Sequence, residues 1–241
     1  MRSAVIPAII AIILLLLLGC AYNVAAPAAS ESSLTPSVED TDSFPPETKP
    51  PDCGETKTPQ ASSEILDGEL IRVLDYIPSI YVELKYATAD NFTGTVIYDF
   101  SEAHLRYGTV KKLADVQQEL TEKGYSLKIW DAYRPTCAQF RLWEVYPDSR
   151  YVANPNTGYS NHSCGNTVDV TLVSADGSEI EMPSGFDEFT SLADRDYSDI
   201  SDMAKGNVLI LENAMSVNGF NCYSGEWWHY SDSTSYLIVE G

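Results

Sequence analysis

The chain has 241 residues, of which 44% are hydrophobic and 11% aromatic, which is enough for one well-packed domain with additional segments. Its 35 acidic residues outnumber its 15 basic residues and give a formal net charge of −20. Because a chain of this charge repels polyanions, we exclude nucleic acid as a partner.

The first 20 residues predict an export signal. Arg2 precedes an apolar run over residues 4–18, which is shorter than the about 20 residues that span a bilayer. The run ends in Leu-Leu-Gly-Cys, which resembles a bacterial lipobox, and this resemblance implies a lipid anchor at Cys20. The alternative is an uncleaved anchor helix. Both interpretations place the remaining chain in the bacterial cell envelope, on the extracytoplasmic face of a membrane.

Residues 21–63 are rich in Pro, Ser, Thr, Ala and acidic residues and contain almost no large apolar side chains. A segment of this composition cannot bury enough surface to offset the entropy lost on ordering. We therefore predict a disordered acidic tether, followed by one folded domain over residues 64–241.

The folded domain shows strand and helix patterns in alternation. Residues 64–100 contain short aliphatic and aromatic runs between turn signals, which predict strands. Residues 108–124 give the clearest helix, because apolar side chains recur at helical spacing and Gly124 follows as a C-cap. Further helices are predicted over residues 136–146 and 204–220, and further strands over residues 125–135, 166–173 and 226–231. This order predicts an α+β fold, with helices packed on a mostly antiparallel sheet.

The stretch SNHSCGNTVDVTLV, residues 160–173, contains two candidate metal ligands seven residues apart. Along the predicted strand, Asp169 projects from the face opposite Val168 and Val170. Gly165 permits a tight turn, so that His162 can fold back towards Asp169. Because a catalytic zinc commonly takes three protein ligands and leaves a fourth position for water, a third ligand is needed.

His229 is the candidate third ligand. It lies in GEWWHY, residues 225–230, three positions after Glu226, whose carboxylate could act as the base for a metal-activated water. The alternative for this pair is a surface glutamate beside a core histidine. The remaining histidine, His104, has no motif around it, and we interpret it as structural or exposed.

Several motifs, in this order, resemble the VanX-type D-alanyl-D-alanine dipeptidases, zinc enzymes related to D,D-carboxypeptidases. The resemblance covers roughly residues 71–230. It implies a single zinc-peptidase domain that holds one Zn²⁺ per chain and hydrolyses D-Ala-D-Ala or a related small peptide. The motifs are KYATADNFTG at 85–94, WDAYRP at 130–135, SNHSCGNTVDVTL at 160–172, FD at 186–187 and EWWHY at 226–230.

The resemblance also implies a role for individual side chains. Glu226 would be the general acid/base, and Arg134 would stabilise the developing oxyanion, with a structural ion pair as the alternative for Arg134. Asp187 and Tyr86 would bind the free amino end of a dipeptide, although core packing explains Tyr86 equally well, and Ser160 would line the site. The implied zinc ligands are His162, Asp169 and His229.

Two positions depart from the family motif and leave substrate preference open. Thr167 replaces a usual alanine, and Cys164 replaces a charged side chain. The chain also contains Cys53, Cys137 and Cys222, and an exported domain with these cysteines could form two disulfides. We predict a Cys164–Cys222 disulfide, because each of the two lies a few residues from a predicted site residue. A Cys137 pairing, free thiols and a thiolate zinc ligand at Cys164 are the alternatives.

Two classes of function remain open at this point. The first is a metallopeptidase that cleaves the D-Ala-D-Ala dipeptide or, alternatively, a D,D-carboxypeptidase that trims D-Ala from peptidoglycan stem peptides. The second is a catalytically inactive, wall-binding lipoprotein, and the presence of Glu226 and Arg134 argues against it. An exported enzyme cannot reach a cytoplasmic dipeptide pool, so cell-wall turnover or dipeptide salvage fits the predicted location better than antibiotic resistance.

Overall fold

The computed structural model describes residues 64–239. The predicted signal, the predicted lipid attachment at Cys20, the predicted tether over residues 21–63 and Cys53 lie outside the described residues. None of the helices in the described part has the length and apolar character that a membrane span requires.

Two sheets form from short strands in residues 64–239. The strands are β1 (Leu70–Arg72), β2 (Tyr81–Val82), β3 (His104–Arg106), β4 (Tyr125–Asp131), β5 (Thr167–Ser174), β6 (Phe220–Cys222) and β7 (His229–Asp232). Strands β1 and β3 form an antiparallel pair. The larger sheet has the order β2-β4-β5-β7-β6, in which only β2 and β4 run parallel. The sheet is therefore mostly antiparallel, as the sequence predicts.

The same part of the chain contains four α-helices. They are α1 (Val73–Tyr76), α2 (Tyr107–Glu122), α3 (Thr136–Val145) and α4 (Asp202–Val217). The two long helices, α2 and α4, contact each other and pack on strands β4, β5 and β6. The apolar side chains of α2 that recur at helical spacing are fully buried, which confirms the periodicity as a core-facing stripe. The α+β prediction is confirmed.

The boundaries of the predicted helices agree with the structure to within a few residues. Helix α4 begins at Asp202, slightly earlier than predicted, because the Ser201 hydroxyl caps it by accepting a hydrogen bond from the backbone N–H of Ala204. A 3-10 helix, Ser191–Ala193, precedes α4 in the chain.

The strand register places three polar residues in one row across the sheet. Asp169 of β5 lies opposite His229 of β7 on one side and opposite Asp131 of β4 on the other. Ile129 pairs with Val170 in regular register, so a bulge after Ile129 is required to bring Asp131 level with Asp169. A bulge re-aims the side chains that follow it, and here it places Asp131 on the polar face of the sheet.

The predicted Cys164–Cys222 disulfide is wrong. Both cysteines are free, with Cys164 buried and Cys222 exposed, whereas Cys137 is disulfide-bonded. Cys222 pairs with Tyr230, the neighbour of His229, so alternation along the strands places Cys222 on the sheet face opposite the His229 side chain. Its thiol contacts the Ser216 hydroxyl of α4 at 3.5 Å, on the helix-covered side. Closeness along the sequence to a site residue therefore did not imply a shared face.

Candidate active site

His162, Asp169 and His229 form a compact cluster on the polar face of the sheet. One potential ligand atom from each residue lies within 4.8 Å of the others. Nε2 of His162 is 3.3 Å from Oδ2 of Asp169, and Nδ1 of His229 is 3.0 Å from Oδ1 of the same carboxylate. The structure thus brings together the three side chains that the resemblance implies as zinc ligands.

Local backbone geometry explains how His162 reaches the sheet. It lies in a 3-10 helix, Asn161–Cys164, which ends at Gly165 with a φ of 75°. Only glycine adopts this left-handed conformation without strain, and a Cβ at this position would lie 2.7 Å from a methyl group of Leu70. The chain can therefore turn back here and direct His162 towards Asp169, as the sequence predicts.

The burial of the cluster and its hydrogen bonds fit a metal site. Nδ1–H of His162 donates to the Ala132 carbonyl oxygen at 2.8 Å, which leaves the Nε2 lone pair directed at the cluster. Burial opposes ionisation of Asp169, but the two imidazoles outweigh it and hold its pKa well below the usual value. The buried Oδ1 of Asp169 accepts no hydrogen bond from residues 64–239. An ionised, buried oxygen without a donor, between two imidazoles, fits a bound cation, and this donor set is typical of a catalytic zinc.

Glu226 lies beside the cluster, in the turn between β6 and β7. Its Oε2 is 3.6 Å from Nδ1 of His229, which is too far for a hydrogen bond. Burial, followed by repulsion from Asp169, raises the pKa of Glu226. A raised pKa brings a carboxyl group closer to the value at which it can both accept and return a proton near neutral pH.

Arg134 is buried and ion-paired, and it lines the same cavity as the cluster of His162, Asp169 and His229. Its side chain donates to the Tyr98 hydroxyl at 3.1 Å, the Gln139 amide oxygen at 2.9 Å and Asp131 at 2.5 Å. Its guanidinium carbon also lies 5.0 Å from the centre of the Tyr86 ring. Within residues 64–239 these hydrogen bonds use three of its five N–H groups, so two remain for a substrate oxygen. The structural ion pair and the catalytic role are alternative predictions for Arg134 from the sequence. In the structure the two are compatible, because the ion pair with Asp131 leaves N–H groups of Arg134 unused.

Asp131 organises this region, although the sequence predicts no role for it. Its carboxylate is fully buried and accepts hydrogen bonds from the Tyr98 hydroxyl at 2.6 Å and the Ala132 backbone N–H at 2.9 Å, in addition to Arg134. The motif WDAYRP contains Asp131, although the family resemblance implies a role only for Arg134. Tyr98 lies outside every recognised motif, and no sequence signal identifies it.

Asp187 contributes a further carboxylate to the lining of the same cavity. Asp187 is 9% exposed, and its Oδ2 accepts a hydrogen bond from the Tyr86 hydroxyl at 2.6 Å. Its φ of 52° lies in the left-handed region, which aspartate tolerates better than most residues. Burial, with repulsion from Asp169 and Glu226, raises the pKa of Asp187 well above the usual value. Tyr86 also packs edge-on against Phe186, so it serves both the core and this carboxylate.

The predicted site residues line one cavity of about 240 Å³, whereas Asp131 and Tyr98 are not part of its lining. Among the predicted site residues, it is lined by Tyr86, Arg134, Ser160, His162, Asp169, Asp187, Glu226 and His229. Three tyrosines that the sequence does not predict as site residues add exposed rings to the lining: Tyr151, Tyr159 and Tyr223. His104 is not part of this lining and contacts the Glu102 carbonyl oxygen, consistent with a structural histidine.

Comparisons with known proteins agree with this geometry. The family model described as D-ala-D-ala dipeptidase, of peptidase family M15, matches residues 67–237. A D-alanyl-D-alanine dipeptidase of Escherichia coli (strain K12) is 38% identical over 173 residues, which cover 71% of this chain and 89% of that protein. A D-alanyl-D-alanine dipeptidase of Enterococcus faecium is 33% identical, over 61% of this chain and 83% of its own length. Another, of Streptomyces coelicolor, is also 33% identical, over 69% of this chain and 92% of its own length.

A solved structure of VanY, a D,D-pentapeptidase from a VanB-type vancomycin resistance cassette, in complex with Zn(II), is a more distant match. It is 16% identical, with a TM-score of 0.36, and the match covers 57% of this chain and 76% of that one. This level of similarity does not establish a shared fold. The family match and the dipeptidase relatives do establish the assignment: this chain belongs to the D-Ala-D-Ala dipeptidase family.

Proposed function

We propose that this chain is a zinc-dependent dipeptidase that hydrolyses free D-Ala-D-Ala. One observation carries the proposal: the His162, Asp169 and His229 cluster shares a small cavity with two further carboxylates, those of Glu226 and Asp187. Glu226 lies at the cluster, where a proton carrier is needed, and Asp187 lies where a charged amino group can be bound. The dipeptidase names of the relatives support the same substrate.

The side chains of the cavity can be assigned to successive steps of peptide hydrolysis. A zinc ion held by the cluster would activate water by lowering its pKa to about 7 and would polarise the scissile carbonyl. Glu226 accepts the proton of the attacking water and delivers it to the leaving amine. The two unused N–H groups of Arg134 stabilise the negative charge that develops on the carbonyl oxygen. Asp131 and Gln139 hold the guanidinium in place, so it need not reorganise during the reaction.

Cavity size and charge favour a dipeptide over a longer substrate. A volume of about 240 Å³ is below the roughly 300–1,000 Å³ of clefts that accept drug-sized ligands. In a dipeptide, the ammonium group is one residue from the scissile carbonyl, and Asp187 offers it a buried carboxyl group whose ionised form a bound ammonium group favours. A stem peptide has an acylated nitrogen there and would leave Asp187 without a partner. These features favour the dipeptidase over the D,D-carboxypeptidase alternative.

The proposal also includes the cellular context. We propose that a lipid on Cys20 anchors the enzyme on the extracytoplasmic face of a bacterial membrane. The support is the lipobox-like sequence at the end of the apolar run. At that location the enzyme would act on dipeptide released during peptidoglycan turnover, in wall degradation or salvage.

The test is a metal and activity assay on the purified chain. We expect one zinc per chain and zinc-dependent hydrolysis of D-Ala-D-Ala, lost on chelation and restored by added Zn²⁺. L-Ala-L-Ala, at the same concentration, is the matched substrate control. Stoichiometric zinc without hydrolysis of any D-Ala-D-Ala substrate would favour an inactive wall-binding lipoprotein instead.

A further inference from the structure

The turn between β6 and β7 carries two of the functional side chains but is held weakly by its own hydrogen bonds. Glu226 lies within the turn and His229 closes it. The backbone N–H of Tyr223 donates to the His229 carbonyl oxygen at 3.3 Å, and that of Glu226 donates to the Tyr223 carbonyl oxygen at 3.4 Å. These distances are longer than the usual 2.7–3.2 Å, so the turn needs support from outside.

Arg195 supplies this support. Its Nε donates to the Tyr223 carbonyl oxygen at 2.8 Å, and a terminal nitrogen donates to the His229 carbonyl oxygen at 3.1 Å. One side chain thus binds both ends of the turn that carries Glu226. Two backbone hydrogen bonds reinforce the contact: Arg195 N–H to the Ser224 oxygen at 3.2 Å, and Trp227 N–H to the Ala193 oxygen at 2.8 Å.

The Arg195 guanidinium is itself fixed from behind. Its other terminal nitrogen donates to Glu212 of α4 at 2.8 Å and lies 3.3 Å from the hydroxyls of Tyr197 and Tyr230. Its guanidinium carbon lies 4.6 Å from the centre of the Tyr230 ring, and the side chain is only 10% exposed. Charged hydrogen bonds in so little solvent are stronger than those of an exposed arginine. Arg195 therefore links the turn rigidly to helix α4.

We propose that Arg195 is a positioning residue for Glu226. It does not line the cavity. It acts by fixing the turn so that the Glu226 carboxylate stays next to the cluster of His162, Asp169 and His229. The proposal rests on the proposed function in one respect, since it takes Glu226 as the proton carrier. Misplacing a reacting group by about 1 Å can reduce the rate about 100-fold, so loss of this restraint should lower kcat while substrate binding persists.

A double-mutant cycle on the complete chain separates positioning from general stabilisation. The variants are Arg195→Met, Arg195→Lys, Glu226→Gln and the Arg195→Met/Glu226→Gln pair, with the exposed Arg72→Met as a matched control. We expect Arg195→Met to retain one zinc per chain and a nearly unchanged KM, with kcat lowered about 10- to 100-fold. Arg195→Lys should restore part of kcat. In the Glu226→Gln background, Arg195→Met should cause no further loss.

Amide hydrogen exchange gives a readout that does not depend on activity. Arg195→Met should accelerate exchange in the peptide covering residues 223–229 and leave residues 125–131 unchanged. Unchanged exchange in residues 223–229, or an equal loss of kcat in both Glu226 backgrounds, would overturn the proposal. If the wild-type chain cleaves no dipeptide, the proposed function fails and the exchange measurement alone decides the role of Arg195.

Discussion

Replacing Asp187 by asparagine should remove the preference for a free amino end. The asparagine side chain keeps the size of the aspartate and can still bond to the Tyr86 hydroxyl, but it no longer offers a charge to an ammonium group. We expect the wild-type chain to cleave D-Ala-D-Ala far better than its N-acetylated form. The Asp187→Asn variant should narrow this gap, mainly by harming hydrolysis of the free dipeptide.

The size of the effect follows from the burial of Asp187 and from its hydrogen bond to Tyr86. Leaving one partner of a buried charged pair without the other costs about 2–5 kcal/mol. Here Oδ2 keeps its 2.6 Å hydrogen bond from Tyr86 whatever the substrate, so the loss should fall at the low end, about 2–3 kcal/mol. At about 1.4 kcal/mol per decade, this is roughly a 30- to 150-fold preference in kcat/KM.

The preference should also depend on pH. Burial and the neighbouring carboxylates raise the pKa of Asp187, so the group takes up its proton at a higher pH than an ordinary aspartate. The protonated form cannot pair with an ammonium group, and the ratio of kcat/KM for the free and acetylated substrates should therefore fall as the pH is lowered. The ratio cancels any loss of metal common to both substrates, and it should not change with pH in Asp187→Asn.

The assay compares kcat/KM for D-Ala-D-Ala and N-acetyl-D-Ala-D-Ala in both proteins. Asp99→Asn is the matched control, because Asp99 is exposed and does not line the cavity. Equal kcat/KM values for the two substrates in the wild-type chain would refute the reasoning and favour the D,D-carboxypeptidase alternative. A preference that survives in Asp187→Asn would show that another group binds the amino end.

Three further outcomes are expected. Replacing His162, Asp169 or His229 by alanine should abolish stoichiometric zinc binding, since three protein ligands are the usual catalytic set. Metal analysis after dialysis measures this loss. Retention of one zinc per chain in all three variants would exclude this site. Glu226→Ala should keep its zinc but lose several orders of magnitude in kcat, and near-normal turnover would remove Glu226 from the mechanism. Cys20→Ala should release the chain from membranes or block its processing, as seen by fractionation and mass, whereas unchanged association and mass would favour an uncleaved anchor helix.

The sequence predicted those parts of the fold and site that depend on local patterns. Helical periodicity located α2, and the turn permitted by Gly165 correctly placed His162 near Asp169. These features depend on residues close together in the chain, where the spacing of side chains and the special conformations of glycine are informative. The assignment of individual roles depended on the family resemblance, and the roles of the site residues stay predictions until the variants are measured.

The features that the sequence did not predict depend on how distant segments pair. Asp131 joins the site because a bulge shifts it into line with Asp169, and regular alternation along β4 would have placed it on the apolar face. The predicted Cys164–Cys222 disulfide failed for a related reason, since strand pairing puts Cys222 on the other face of the sheet. Register and bulges are set by tertiary packing, and neither can be read from a short motif.

The site combines a rigid part with a part that needs external support. Asp131, Asp169 and His229 lie on neighbouring strands, so backbone pairing fixes their spacing, and side chains on strands are positioned more firmly than those on loops. Glu226 lies on a turn whose own hydrogen bonds are long, and its position depends on Arg195. Substitutions around the strands should therefore affect metal binding first, whereas substitutions around Arg195 should affect turnover in a chain that still holds its metal. Measuring zinc content and kcat on the same variants separates these two parts of the site.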